Sequence, residues 1–103
     1  MKEDFLHKLF NIIEERKNST SEDSYVKSLY DQGAIKINEK ILEETLELLE
    51  ATSDLSDKKK EKVIHETADL WFHTMILLSN EEVKIEKLID SLNYIENYSV
   101  FEK

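Results

Sequence analysis

The 103-residue chain has no cysteine, no proline and a single glycine, Gly33. Without cysteine it has neither disulfides nor a thiolate zinc site, which suits a reducing compartment such as the cytoplasm. Sheets need many tight turns, and tight turns draw on glycine and proline. A chain this poor in both is expected to be all-α. Basic residues are also scarce, 14 against 23 acidic ones, giving a formal net charge of −9. That balance argues against a duplex nucleic-acid partner and against an anionic membrane surface. Long apolar runs are missing too. MKEDFLHKLF at the start reads as neither a signal peptide nor a membrane span. The length predicts one domain, residues 1–103, with a real but small core, so oligomerisation is a reasonable expectation.

What is present is helical periodicity. Phe5, Leu9, Ile12 and Ile13 share one face of a helix over residues 4–17, with Arg16 and Lys17 in its last turn. NSTSEDS, residues 18–24, reads as a loop in which Ser21 or Ser24 caps the next helix. SYVKSLYDQ turns Val26, Leu29 and Tyr30 toward a core, and Gly33 then fits a helix end that needs φ > 0. A third helix is predicted from Ala34 to Thr52, with Ile37, Ile41, Leu42, Thr45, Leu48 and Leu49 on its apolar side. SDLSD follows, with Ser56 or Asp57 as the expected cap of a fourth helix running to about Ser79. Val63, Ile64, Thr67, Leu70, Trp71, Thr74, Met75 and Leu78 form its broad apolar face, with His65, Glu66, Asp69 and His73 on the polar side. A last helix from near Val83 carries Ile85, Leu88, Ile89, Leu92 and Ile95 as a buried stripe, and Asn97 to Lys103 reads as a fraying tail. The short links favour an antiparallel bundle of about five helices.

The acids of the third and fourth helices carry the chemistry. Glu43, Glu44 and Glu47 cluster in KILEETLELLEA, and Glu66 and Asp69 lie three residues apart in HETADL. Residues at i, i+3 and i+4 share a helical face, so an antiparallel pair can bring Glu44, Glu47, Glu66 and Asp69 to one spot. Four carboxylates repel unless a cation lies between them. Oxygen-only ligands select hard ions, so Mg²⁺ is expected, with Mn²⁺ next. Beside such an ion, Lys36 and Lys40 would hold phosphate oxygens and Glu43 would take a proton from water. Arg16 is either a dipole-compensating cation or a phosphate contact. The plain alternative is two solvated acidic faces. His73 near the acids reads as a satisfied or exposed histidine more readily than as a substrate contact, while His7 and His65 have no motif around them.

SYVKSLYDQGAIKINEKILEETLELLEA followed by HETADLWFHTMILL resembles the phosphoribosyl-ATP pyrophosphatase family of all-α nucleotide pyrophosphohydrolases of the MazG type. The resemblance covers nearly the whole chain. It implies a homodimer, dependence on Mg²⁺, and hydrolysis of phosphoribosyl-ATP to phosphoribosyl-AMP and pyrophosphate in histidine biosynthesis. By motif position it makes Glu44, Glu47, Glu66 and Asp69 the metal ligands, Glu43 a further ligand or base, and Lys36, Lys40 and Arg16 phosphate contacts. Leu42 departs from the pattern, standing where the family usually has a small residue, and Thr45 and Thr67 stand where alanine is common. A housekeeping pyrophosphohydrolase acting on another nucleoside triphosphate, or a non-catalytic acidic helical module that binds a protein, are the competing readings.

Overall fold

A computed structural model describes the backbone of residues 2–19 and 24–102, and the side chains of residues 5–19 and 24–98. The described residues form five α-helices and no strand: α1 (Lys2–Arg16), α2 (Tyr25–Gln32), α3 (Ala34–Ala51), α4 (Lys59–Asn80) and α5 (Ile85–Glu102). The all-α expectation holds. The last helix differs from expectation at its end: its backbone stays helical to Glu102 where a fraying tail was foreseen.

The helix ends follow their local chemistry. Ser24 caps α2, its Oγ accepting from the Lys27 N–H at 3.1 Å. Ser21 lies outside the described residues. Gly33 joins α2 to α3 at φ 88°, a conformation that L side chains avoid, and its N–H bonds back to the Leu29 carbonyl. The start of α4 departs from prediction. Its N-cap is Lys58, with no side-chain bond, while the Ser56 hydroxyl accepts from the Lys58 N–H before the helix begins. The end of α4 is closed by Val83 N–H to Leu78 O and Glu82 N–H to Ser79 O, with Glu82 at φ 61°. This is a Schellman closure with glutamate where glycine is usual.

Every helix supplies the core: Phe10 and Ile13 from α1, Val26 and Leu29 from α2, Ile37 from α3, Met75 and Ile76 from α4, and Ile85 from α5. Full burial of such a side chain stabilises by about 1.5–3 kcal/mol. A polar staple runs through it. Ser79 is fully buried and its hydroxyl donates to Glu14, while the Tyr30 hydroxyl donates to Ser79 Oγ. Lys17 donates to the Ser79 carbonyl at 2.6 Å and pairs with Glu14 at 2.9 Å. Lys17 is thus absorbed into the fold. Partial burial draws the Glu14 carboxyl upward, but the bonds from Ser79 and Lys17 outweigh it and leave the group below its usual range.

α3 and α4, joined by a short link, pack along their length. Electrostatic neighbours pair Glu44 with Asp69 and Glu47 with Glu66, so numbers rise on one helix as they fall on the other. The helices are therefore antiparallel.

Several residues expected on buried stripes stay outside. Leu42, Leu49, Ile64, Trp71, Leu92 and Ile95 are exposed, and His73, expected on the polar side of α4, is buried. A helix of about 3.6 residues per turn buries only the arc that faces a neighbour, and one protomer has too few helices to cover both sides of the α3–α4 pair.

Candidate metal centre

The acid cluster is built by the α3–α4 register. Glu43, Glu44 and Glu47 each offer a carboxylate oxygen within 4.8 Å of the others, and His65, Glu66 and Asp69 form a second such group on α4. Glu44 feels the charges of Glu47 and Asp69, and Glu66 feels those of Glu47 and Asp69. The four acids foreseen as ligands are thus like-charged neighbours across the two helices, while the groups within ligand distance remain one on each helix.

Glu44 is the strained member. It is only 5% exposed, and its Oε2 is buried without a hydrogen-bond partner. It pairs with Lys40, whose Nζ lies 3.8 Å from Oε1. Burial, then Glu47 and Asp69, push its carboxyl above the ordinary range. Glu66 is pushed the same way by desolvation and Glu47. A buried, orphaned carboxylate oxygen among like charges fits a divalent cation, and the all-carboxylate donor set with one nearby imidazole fits a hard ion.

The other predicted site residues divide. Lys40 belongs to the cluster, donating to Glu43 at 3.1 Å, and that bond holds its ammonium above the usual lysine range. Glu43 is exposed and paired with Lys40, which leaves it accessible to water. Lys36 is half-buried one turn before Lys40. Arg16 is exposed at the end of α1, and no hydrogen bond or ion pair among the described residues ties it to the acids. Leu42 is 62% exposed, and Thr45 and Thr67 turn their hydroxyls onto the Ile41 and Val63 carbonyls of their own helices at 2.7 Å.

Two groups escaped the sequence reading. His65 Nε2 lies 3.3 Å from Asp69 Oδ2, a contact its i, i+4 spacing could have signalled. Tyr25, from α2, bonds His73 Nε2 at 2.6 Å beside the acids; no local spacing connects two residues 48 apart. A cleft of about 610 Å³ opens from Glu47 and Glu66 toward the α3–α4 link, lined also by Asp54, Glu61, Lys62 and His65.

An antiparallel helix pair that gathers carboxylates, one of them buried without a partner, with a lysine beside them is a candidate cation centre. Comparison with known sequences makes the class specific. The sequence profile described as phosphoribosyl-ATP pyrophosphohydrolase matches residues 6–94. Similar proteins include the phosphoribosyl-ATP pyrophosphatase of Vesicomyosocius okutanii, 43% identical over 91 residues, covering 88% of this chain and 84% of that one. The Ruthia magnifica protein of the same name is 40% identical over 87% of this chain and 83% of its own. The Clostridium acetobutylicum one is 40% identical over 84% and 76%. The chain belongs to the phosphoribosyl-ATP pyrophosphohydrolase family.

Proposed function

We propose that the chain is a cytoplasmic, Mg²⁺-dependent homodimeric hydrolase that converts phosphoribosyl-ATP to phosphoribosyl-AMP and pyrophosphate in histidine biosynthesis. Family membership over most of the chain supports the hydrolase class and the substrate. The observation that carries the metal is the unpartnered, buried Glu44 Oε2 among the carboxylates.

The reaction consumes one water and cleaves the bond between the α- and β-phosphates. Glu44, Glu47, Glu66 and Asp69 would hold the ion, with Mn²⁺ an acceptable substitute. When bound, it supplies positive charge against the polyphosphate and lowers the pKa of nearby water. Glu43, exposed at the rim, is placed to take the proton from the attacking water. Lys40, and Lys36 one turn away, meet phosphate oxygens and fix the chain of the substrate. The cleft toward Lys62 offers room for the remainder of the nucleotide.

The homodimer is supported by what the protomer leaves uncovered. Ile35, Leu42, Leu46 and Leu49 form an exposed stripe on α3, and Ile64 and Trp71 stand on α4. In the antiparallel register Leu49 falls level with Ile64, and Leu42 with Trp71. A second copy covering this face would complete the bundle and bring its own surface beside the acids. No helix among the described residues is long and apolar enough to cross a membrane.

The test is pyrophosphate release from phosphoribosyl-ATP with Mg²⁺ and with chelator. Release that requires the ion is the expected result. Preferential turnover of another nucleoside triphosphate would redirect the substrate while keeping the site.

A further inference from the structure

The acid-bearing stripe of α4 also carries a cation. Lys62, Glu66 and Asp69 follow one another at i, i+4 and i+7, so all three share one helical face. That face borders the cleft of about 610 Å³, which runs from Glu47 and Glu66 past Lys62. Lys62 is the one lysine or arginine that lines it. Glu50, Asp54 and Glu61 line it as well, beside His65 and the acids of the centre.

Asp54, in the α3–α4 link, fixes the cation. Its Oδ1 accepts from the Ser56 N–H at 2.7 Å, and its Oδ2 accepts from the Lys62 ammonium. The bond from Lys62, then those from Ser56, hold the Asp54 carboxyl well below the usual carboxylate range. An ammonium has three N–H donors, and Asp54 engages one of them. The Lys62 side chain is 57% exposed, so the others are open to a ligand.

Phosphoribosyl-ATP bears phosphate at both ends: the triphosphate, and the phosphate of the phosphoribosyl group on the far side of the purine. With the triphosphate beside Lys40 and the acids, the second phosphate lies more than a nucleoside's width away. At about 1.5 Å of rise per residue, Lys62 stands about 6 Å from Glu66 and about 10 Å from Asp69 along the helix axis. Helical side chains lean toward the N-terminus, which carries its ammonium farther from the acids. Near Glu50, Asp54 and Glu61 a phosphate is repelled unless a cation meets it, so Lys62 decides whether that end of the cleft accepts one.

We propose that Lys62 binds the terminal phosphate of the substrate's phosphoribosyl group, and so selects phosphoribosyl-ATP over nucleoside triphosphates that lack that group. The proposal rests on reading the acid cluster as the hydrolytic site, and it assigns the opposite end of the same cleft.

The test compares two ligands that differ only in that group. Phosphoribosyl-AMP carries the terminal phosphate and AMP lacks it. Lys62→Met should weaken phosphoribosyl-AMP about 10- to 100-fold, the loss of a charge-assisted bond, and leave AMP unchanged. Calorimetry and inhibition of pyrophosphate release both measure this. KM for phosphoribosyl-ATP should rise by a similar factor with kcat little changed. Lys62→Arg, which keeps the charge, should retain most of the affinity. Circular dichroism checks folding. If the Asp54 carboxylate left behind destabilises the single variant, Lys62→Met combined with Asp54→Asn carries the same comparison.

Equal weakening of both ligands would overturn the proposal, since it would put Lys62 against the part they share. So would a Lys62→Met protein that binds phosphoribosyl-AMP as wild type does. If wild type releases no pyrophosphate from phosphoribosyl-ATP, the functional reading falls and this inference with it. If wild type does so and Glu44→Gln does not, while Lys62→Met prefers phosphoribosyl-AMP as strongly as wild type, the reading stands and this inference alone falls.

Discussion

Glu47 on α3 and Glu66 on α4 stand carboxyl against carboxyl, close enough to hydrogen-bond when one carries a proton. One turn along, Glu44 and Asp69 are like-charged neighbours, and there one Glu44 oxygen is buried without a partner. Two helices that could have turned these acids outward instead hold them together. Lys40 and His73 offset part of that repulsion at Glu44, and His65 offsets part of it at Glu66. A cation bound there would relieve the repulsion.

The first prediction concerns Glu44→Gln. Turnover should vanish, yet the cation-free variant should melt higher than wild type at neutral pH, because a neutral amide removes the repulsion. Wild type at about 100 times the dissociation constant for Mg²⁺ should gain about 2.7 kcal/mol, and the variant little. Melting scans with chelator and with Mg²⁺ read both effects, using a monovalent salt of equal ionic strength as control. Equal Mg²⁺ stabilisation of the two proteins would remove Glu44 from the site.

The second prediction follows from the signs of the shifts. The Glu44 carboxyl is raised in the folded state, so its ionised form destabilises the fold above that raised value, and the penalty is absent below 4.5. The advantage of cation-free Glu44→Gln over wild type should therefore shrink as pH falls from 7 toward 4.5. Glu14 has the opposite sign. Its contribution is present above 4.5 and lost as pH falls through its lowered folded value. Glu14→Gln should accordingly lose stability relative to wild type at pH 7, and the difference should close in stronger acid. Melting temperatures across pH check both.

A third concerns Asp69→Asn and Glu47→Gln. Each keeps its volume and its helix, so circular dichroism should be unchanged while kcat/KM falls by at least about 100-fold. Lys40→Met should act differently, raising KM, and it should also lower the stability of the cation-free protein at neutral pH, since it removes a positive charge beside the buried Glu44. Steady-state kinetics separates the two patterns.

The fourth concerns the α4–α5 turn, remote from the site. Glu82 at φ 61° occupies a conformation that costs a non-glycine residue about 1–2 kcal/mol. Glycine relieves this but adds entropy to the unfolded chain, about 0.4–1 kcal/mol. Glu82→Gly should therefore raise stability by about 0.5–1 kcal/mol without affecting turnover. Urea unfolding midpoints measure it.

The fifth concerns assembly. Leu46, 55% exposed between Leu42 and Leu49, would lie at the centre of a second copy's footprint. Leu46→Glu should leave the helical content intact and shift the mass in sedimentation equilibrium from dimer to monomer. A wild-type protein that sediments as a monomer would refute the homodimer outright.

Much of the outcome was legible in the chain because its signals are local. The Gly33 helix break needs only its own φ, and the Ser24 cap only the N–H three residues on. Glu44 and Glu47, or Glu66 and Asp69, share a face by spacing alone. Leu92 and Ile95, expected in a buried stripe, are exposed, because apolar periodicity reports that a face seeks cover, not what supplies it. For Lys17 the sequence shows only a cation in the last turn of α1, where it suits the helix dipole. Its binding to the Ser79 carbonyl depends on where α4 ends, 62 positions away.

Sequence by itself determined the helices, their approximate limits and the two acidic signatures, since each follows from backbone geometry within a few residues. It also carried the family. Only the tertiary structure decided that Glu47 meets Glu66 while Glu44 meets Asp69, that one Glu44 oxygen is left buried and unpartnered, and that Tyr25 and His73 share a hydrogen bond at 2.6 Å. Those relationships join residues distant along the chain, and they exist only once α2, α3 and α4 have packed in a particular register. Local propensity is indifferent to that register; burial of Ile37, Leu29 and Ile76 in the shared core selects it.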